Sequence, residues 1–158
     1  MIKPLKWPFE GTKVDPERTK GDIINLLKKF GIADYAWQEE MGQAKLMFKT
    51  DVMIDDVQRM LTVIVEPAVR SVQKRVYDPE KRTMVKMDVP MYSQSYRVLL
   101  AYLKAKLTNI ALGTVKFEDE FLADIAVQTP TGPKRLVEIV KAKGLLALPS
   151  FDEKETKQ

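Results

Sequence analysis

The segment DYAWQEEMGQAKLMFK, residues 34–49, alternates apolar and polar side chains on both sides of a Met-Gly pair. Period-two alternation marks a half-buried strand, and a glycine between two such runs supplies the tight reversal of a β-hairpin. Tyr35 and Trp37 share one face of the first strand. In the second, Leu46 and Phe48 oppose Lys45, Met47 and Lys49. A hairpin with one apolar face must bury it against another layer. The flanking segments supply that layer.

Upstream, Asp15-Pro16 opens PERTKGDIINLLKKF with an N-cap acid and a first-turn proline. Ile23, Ile24, Leu27 and Phe30 fall on one helical face, Lys28 and Lys29 suit the dipole of the last turn, and Gly31 ends it. Downstream, RMLTVIVE (59–66) reads as a third strand that stops before Pro67. Ser93 begins the longest helix, with Leu99, Leu103, Leu107 and Ile110 at helical spacing and Gly113 beyond its end. Thr114 is expected to cap a short acidic helix, FEDEFLADI. Thr131-Gly132-Pro133 is expected to break the chain before a last helix, KRLVEIVKAK, closed by Gly144. The expected fold is α+β: a small antiparallel sheet of three to five strands, packed on one face by about four helices. Residues 15–149 form its single domain, 1–14 an extended arm and 150–158 a flexible tail.

Composition excludes much chemistry. The chain has 158 residues, no cysteine and no histidine. Disulfides, thiolate nucleophiles, zinc–sulfur sites, Ser-His-Asp triads and HExxH sites are thereby impossible. No apolar run approaches the roughly 20 residues that span a bilayer, and the N-terminus lacks the apolar core of a signal peptide. The expectation is a cytoplasmic protein, in a host cell, without membrane contact. Abundant Lys and Glu without Cys suits a thermophile.

Between the third strand and the long helix lies SVQKRVYDPEKRTMVKM (71–87), two alternating runs joined at Asp78-Pro79. Pro in the second position favours a type I turn, so a protruding β-arm is expected, with a disordered basic loop as the rival. Residues 70–87 hold Arg70, Lys74, Arg75, Lys81, Arg82 and Lys86 against Asp78 and Glu80, and 6 − 2 equals the +4 of the whole protein. A basic ribbon can clamp a nucleic-acid backbone. Charged edges also block sheet-to-sheet aggregation, and contact with a partner protein is a further reading.

Aromatics and lysines on one sheet bind single strands by stacking and phosphate contact, which brings in Tyr35, Trp37, Lys45 and Lys49 beside Tyr77; the competing reading makes Trp37 and Phe48 core. Glu118, Asp119, Glu120 and Asp124 resemble a hard-cation cluster, yet only Glu120 and Asp124 share a helix face, and acids belong in a first turn anyway. Lys104 and Lys106 snorkel from an apolar helix or line a groove.

The stretches YRVLLAYLKAKLTNIALGTVKFEDEFLADI, TPTGPKRLVEIV and GLLALPS resemble a family of small uncharacterised phage and prophage proteins. Arg97 to Leu107 match its Arg-led helix with a Lys-Ala-Lys-Leu core, and Phe117 to Leu122 its Phe-acidic-acidic-x-Phe-Leu helix. The likeness spans about residues 15–149, with the 70–87 arm departing from it. It implies a viral or mobile-element setting and carries over no catalytic residue.

The sequence thus predicts a non-enzymatic, largely sequence-independent nucleic-acid-binding protein, for single-stranded DNA, in replication or recombination. The alternative is a viral interaction or assembly factor that docks on a viral or host protein. A metal-dependent nuclease is the third reading. No cofactor or metal is expected, and self-association is compatible with the sequence.

Overall fold

The computed structural model describes residues 6–40 and 42–144. Met41 of the expected hairpin turn, the GLLALPS motif after Gly144 and the expected tail 150–158 lie outside them.

Helix α1, Pro16–Lys29, forms where its caps place it. The Asp15 carboxylate accepts from the Glu17 N–H at 2.9 Å. At the other end the Ile32 N–H reaches the Leu27 carbonyl and the Gly31 N–H that of Lys28, a Schellman closure that holds Gly31 at φ +78°. Any side chain there would be strained.

The sheet β1 (Asp34–Glu40), β2 (Gln43–Ile54) and β3 (Val57–Val65) is antiparallel in chain order. Its register pairs Tyr35 with Phe48, Trp37 with Leu46, and Phe48 with Val63, so these share one face. That face meets α1 and the long helix α2, Tyr92–Ala111. Ile23, Leu27, Leu46, Phe48, Val63, Leu103 and Phe121 are buried to within 2%. At about 25 cal/mol per Å² of apolar surface, this cluster is the dominant stabilising term.

The α+β expectation holds: among the described residues four helices accompany seven antiparallel strands. The differences are local. Strands β2 and β3 run past the ends expected at Lys49 and Arg59, making a two-stranded extension beyond β1. The basic segment forms a ribbon of its own, β4 (Ser71–Asp78) and β5 (Thr83–Pro90), outside the main sheet. Helix α2 starts one residue before Ser93, without a side-chain cap.

Three expectations are overturned. Thr114 does not cap the acidic helix; α3 is only Phe117–Glu120, capped at Lys116, and continues as a 3-10 turn, Leu122–Asp124. The last helix does not begin at Lys134. Gly132–Arg135 is strand β7, paired with β6, Ala126–Thr129, and helix α4 spans only Leu136–Ala142. Gly132, at φ +108°, lets the chain reverse there. Residues 6–14 do not run extended, because the Thr12 N–H closes a turn on the Phe9 carbonyl at 3.1 Å. This turn docks on α2, with the Gln94 amide donating to the Pro8 carbonyl at 2.8 Å and Arg97 lying 5.2 Å from the Phe9 ring.

Candidate nucleic-acid interface

Strands β4 and β5 pack chiefly on each other and are closed at their base by the Met91 N–H donating to the Arg70 carbonyl at 2.7 Å. At the far end the Asp78 carboxylate accepts from the Glu80 and Lys81 N–H groups, fixing the turn that Asp78-Pro79 announces. The arm is therefore an ordered hairpin.

Its register sorts the side chains into two faces. Val72 pairs with Val89, Lys74 with Met87 and Val76 with Val85 on one. Gln73 pairs with Asp88, Arg75 with Lys86 and Tyr77 with Met84 on the other. The second face is basic and aromatic. Like charges directly opposite in a ladder repel, and neither Arg75 nor Lys86 has a carboxylate within 4 Å among the described residues. Such a pair becomes favourable when an anion bridges it. Tyr77, 57% exposed, stands next along the face.

The other arm cations are placed differently. Arg82, at φ 50°, and Lys81 lie in the turn, with Lys81 4.0 Å from its neighbour Asp78. Lys74 points to the apolar face. Arg70 precedes the ribbon and stands 4.0 Å from Glu10. The folded ribbon, 71–90, also includes Asp88, so its charge is five cations less three carboxylates, or +2. The +4 counted from sequence over 70–87 shrinks because the element begins after Arg70 and ends after Asp88.

The main sheet does not bring its candidates together. Tyr35 and Trp37 face the core, whereas Lys49, 3.6 Å from Asp34, and Lys45, 3.2 Å from Glu66, project from the opposite face. Trp37 lies in a polar cluster. Its ring centroid is 5.2 Å from that of Tyr96, and the Lys20 ammonium sits 5.6 Å from both rings. Lys20 pairs with Glu17 at 2.8 Å and with Glu39, which also accepts from the Tyr96 hydroxyl.

Burial would lower the Lys20 pKa, but its hydrogen bonds to Glu17 and Glu39 outweigh it and the net shift is upward. Burial would raise Glu39, but bonds from Lys20 and Tyr96 hold it below its ordinary 4.5. Tyr96 is raised by burial and by Glu39. A lowered acid stabilises above its unfolded pKa and loses that contribution as pH falls through the folded value. A raised base or phenol stabilises below its unfolded pKa and loses it as pH rises. Melting temperature should therefore be flat between the ordinary values of 4.5 for Glu39 and 10.0 for Tyr96, and fall on either side. Glu39→Gln should shrink the acid limb, measured by thermal melts across pH; an unchanged limb would clear the cluster of that role.

Two of the acidic candidates, Glu120 and Asp124, are held by cations. Lys106 donates to the Glu120 carbonyl, lies 3.6 Å from its carboxylate and stands 4.9 Å from the Tyr102 and Phe121 rings, while Lys104 is exposed. Asp124 is 8% exposed and accepts from the Tyr102 hydroxyl at 3.1 Å. Arg135 stands 3.7 Å from Asp124, 3.0 Å from Glu66 and 3.1 Å from Glu138. This hub was missed from sequence, where Arg135 falls within the expected last helix, KRLVEIVKAK. No family model, curated protein or solved structure matches the chain.

Proposed function

We propose that the chain is a non-enzymatic, largely sequence-independent nucleic-acid-binding protein that grips single-stranded DNA with the β4–β5 arm, in a phage or mobile-element setting. The carrying observation is the Arg75–Lys86 pair, set directly opposite, without a carboxylate partner among the described residues, beside exposed Tyr77. A phosphate between the two cations relieves their repulsion, a base stacks on Tyr77, and Lys81 and Arg82 extend the track around the turn. Tyr35, Trp37, Lys45 and Lys49 have no part in this mechanism. The runner-up, an assembly factor, draws on the apolar side chains exposed elsewhere on the surface.

The test is an oligonucleotide titration at two salt concentrations. Three or four neutralised phosphates give a slope near −0.7 each, so raising salt from about 50 to 200 mM should weaken binding roughly 20- to 50-fold. Changing Arg75, Lys81, Arg82 and Lys86 together to Gln should abolish binding at about 50 mM salt. Its melting temperature should stay within about 2 °C, because surface changes cost little. Lys86→Glu separates function from structure more sharply. It replaces a repulsive cross-strand pair by an attractive one, worth about 0.5–1 kcal/mol, and should raise the melting temperature by about 1–3 °C while binding is lost. Unaltered affinity in either variant would rule out the arm as the binding element.

A further inference from the structure

The β2–β3 extension is the least explained surface of the fold. Strand β1 begins at the Asp34–Lys49 pair, so the ladder from Thr50–Leu61 to Ile54–Val57 has no β1 neighbour. Met53 and Met60 lie diagonal to each other on its outer face, 62% and 68% exposed, with Asp51 beside them. Asp55 and Asp56 form the turn, at φ 50° and 59°. A two-residue turn with both φ values positive favours Asn-Gly, and two aspartates are a costly choice there. The tip holds Asp51, Asp55 and Asp56 against Arg59, a net −2.

The basic arm mirrors this. Its ribbon carries +2, and Arg75 and Lys86 share a face with Tyr77 and Met84, 57% and 54% exposed. Both surfaces are two-stranded and combine charge with exposed apolar side chains. Among the described residues no ion pair joins them within one molecule. A Cβ on Gly42 would stand 4.0 Å from Pro90, which places the base of the arm at the start of β2. The acidic turn lies at the other end of that strand, twelve residues or about 36 Å away.

We propose that the acidic, methionine-bearing tip of the β2–β3 ribbon docks the basic arm of a second copy of this chain, so that copies associate head to tail. Asp51, Asp55 and Asp56 meet Arg75, Arg82 and Lys86, while Met53 and Met60 cover Tyr77 and Met84, a favourable sulfur–aromatic contact. The contact is heterologous and propagates into rings or short filaments. It is also small, so dissociation constants on the order of 100 μM are expected. The proposal does not rest on the nucleic-acid reading, although both use one face of the arm.

Sedimentation velocity without nucleic acid tests it. At about 20 mM salt the average mass should climb above the 18.1 kDa of one chain as loading rises toward about 500 μM, and return to it near 500 mM salt. Two variants reverse the charges. D51K/D55N/D56G takes the tip from −2 to +2, since three acids against Arg59 become one Lys plus Arg59; R75E/K86E takes the arm from +2 to −2. Each should be monomeric alone, and their equimolar mixture should associate again, because every contact then joins opposite charges. The tip variant installs the turn residues that positive φ prefers, so it should melt at or above wild type, and its loss of association cannot be ascribed to unfolding. It should also keep wild-type affinity for oligonucleotides, which keeps a failure here distinct from a failure of the arm as a DNA clamp. A wild type that stays monomeric, reversed variants that each still associate, or a mixture that stays monomeric would overturn the proposal.

Discussion

Phe121→Ala is expected to remove about 3–5 kcal/mol of stability, lowering the melting temperature by roughly 10 °C or more. Phe121 is fully buried although it follows an acidic, four-residue helix. Its ring meets Phe48 edge-on at 5.7 Å and Phe117 at 4.9 Å, and the Lys106 ammonium lies 4.9 Å from it. It therefore joins the sheet to α2 and the 3-10 turn at one point. The Asp124 and Ile125 N–H groups both donate to its carbonyl, at 2.8 and 3.1 Å, so truncation also loosens the turn that presents Asp124. Aromatic edge contacts add about 0.5–1.5 kcal/mol beyond area burial. Phe121→Leu should cost less than half as much, since it keeps most of the apolar volume. Urea denaturation checks both, and a loss below about 1 kcal/mol for the alanine variant would place this segment outside the cooperative core.

That a core keystone follows FEDE shows where local reading stops. The acids resemble a cation cluster, while the phenylalanine beside them carries the packing. Elements with local causes were legible: Asp15, Pro16 and Gly31 fix α1, and period-two alternation fixes β1, β2 and the arm. The two faces of β2 followed from parity, which already set Lys45 and Lys49 against Leu46 and Phe48. Elements with distant causes were not legible. Lys134 and Arg135 continue a helical pattern into LVEIVKA, yet tertiary pairing with Ala126 and Val127 draws them into β7. The strand extension from Thr50 to Gln58, which carries Asp51, Asp55 and Asp56, lies between the two runs whose patterns mark β2 and β3. In the arm, composition gave the charge but not the register. That Arg75 faces Lys86 depends on the ladder closing between Asp78 and Thr83, which turn geometry decides.

Arg135→Ala is the second large effect, expected at about 2–4 kcal/mol. A buried ion pair broken on one side costs about 3–5 kcal/mol, and the 21% of the Arg135 side chain left in solvent reduces that figure. The cost arises because the guanidinium serves Glu66, Asp124 and Glu138 at once, and these belong to the end of β3, the 3-10 turn and α4. Removing it strands Glu138 and the nearly buried Asp124 beside the Tyr102 hydroxyl, while Glu66 keeps Lys45 at 3.2 Å. Lysine is no substitute, since a point charge cannot present the planar fork that three acids use, so Arg135→Lys should recover less than half of the loss. The effect is also non-additive. Adding Asp124→Asn to Arg135→Ala removes the most buried stranded charge, and a double-mutant cycle should give a coupling energy of about 1–2 kcal/mol. A cycle that closes to zero would mean that Arg135 acts through packing of its stem alone. Oligonucleotide affinity of the folded Arg135→Ala protein should match wild type, because the hub holds the body together while the arm meets the strand.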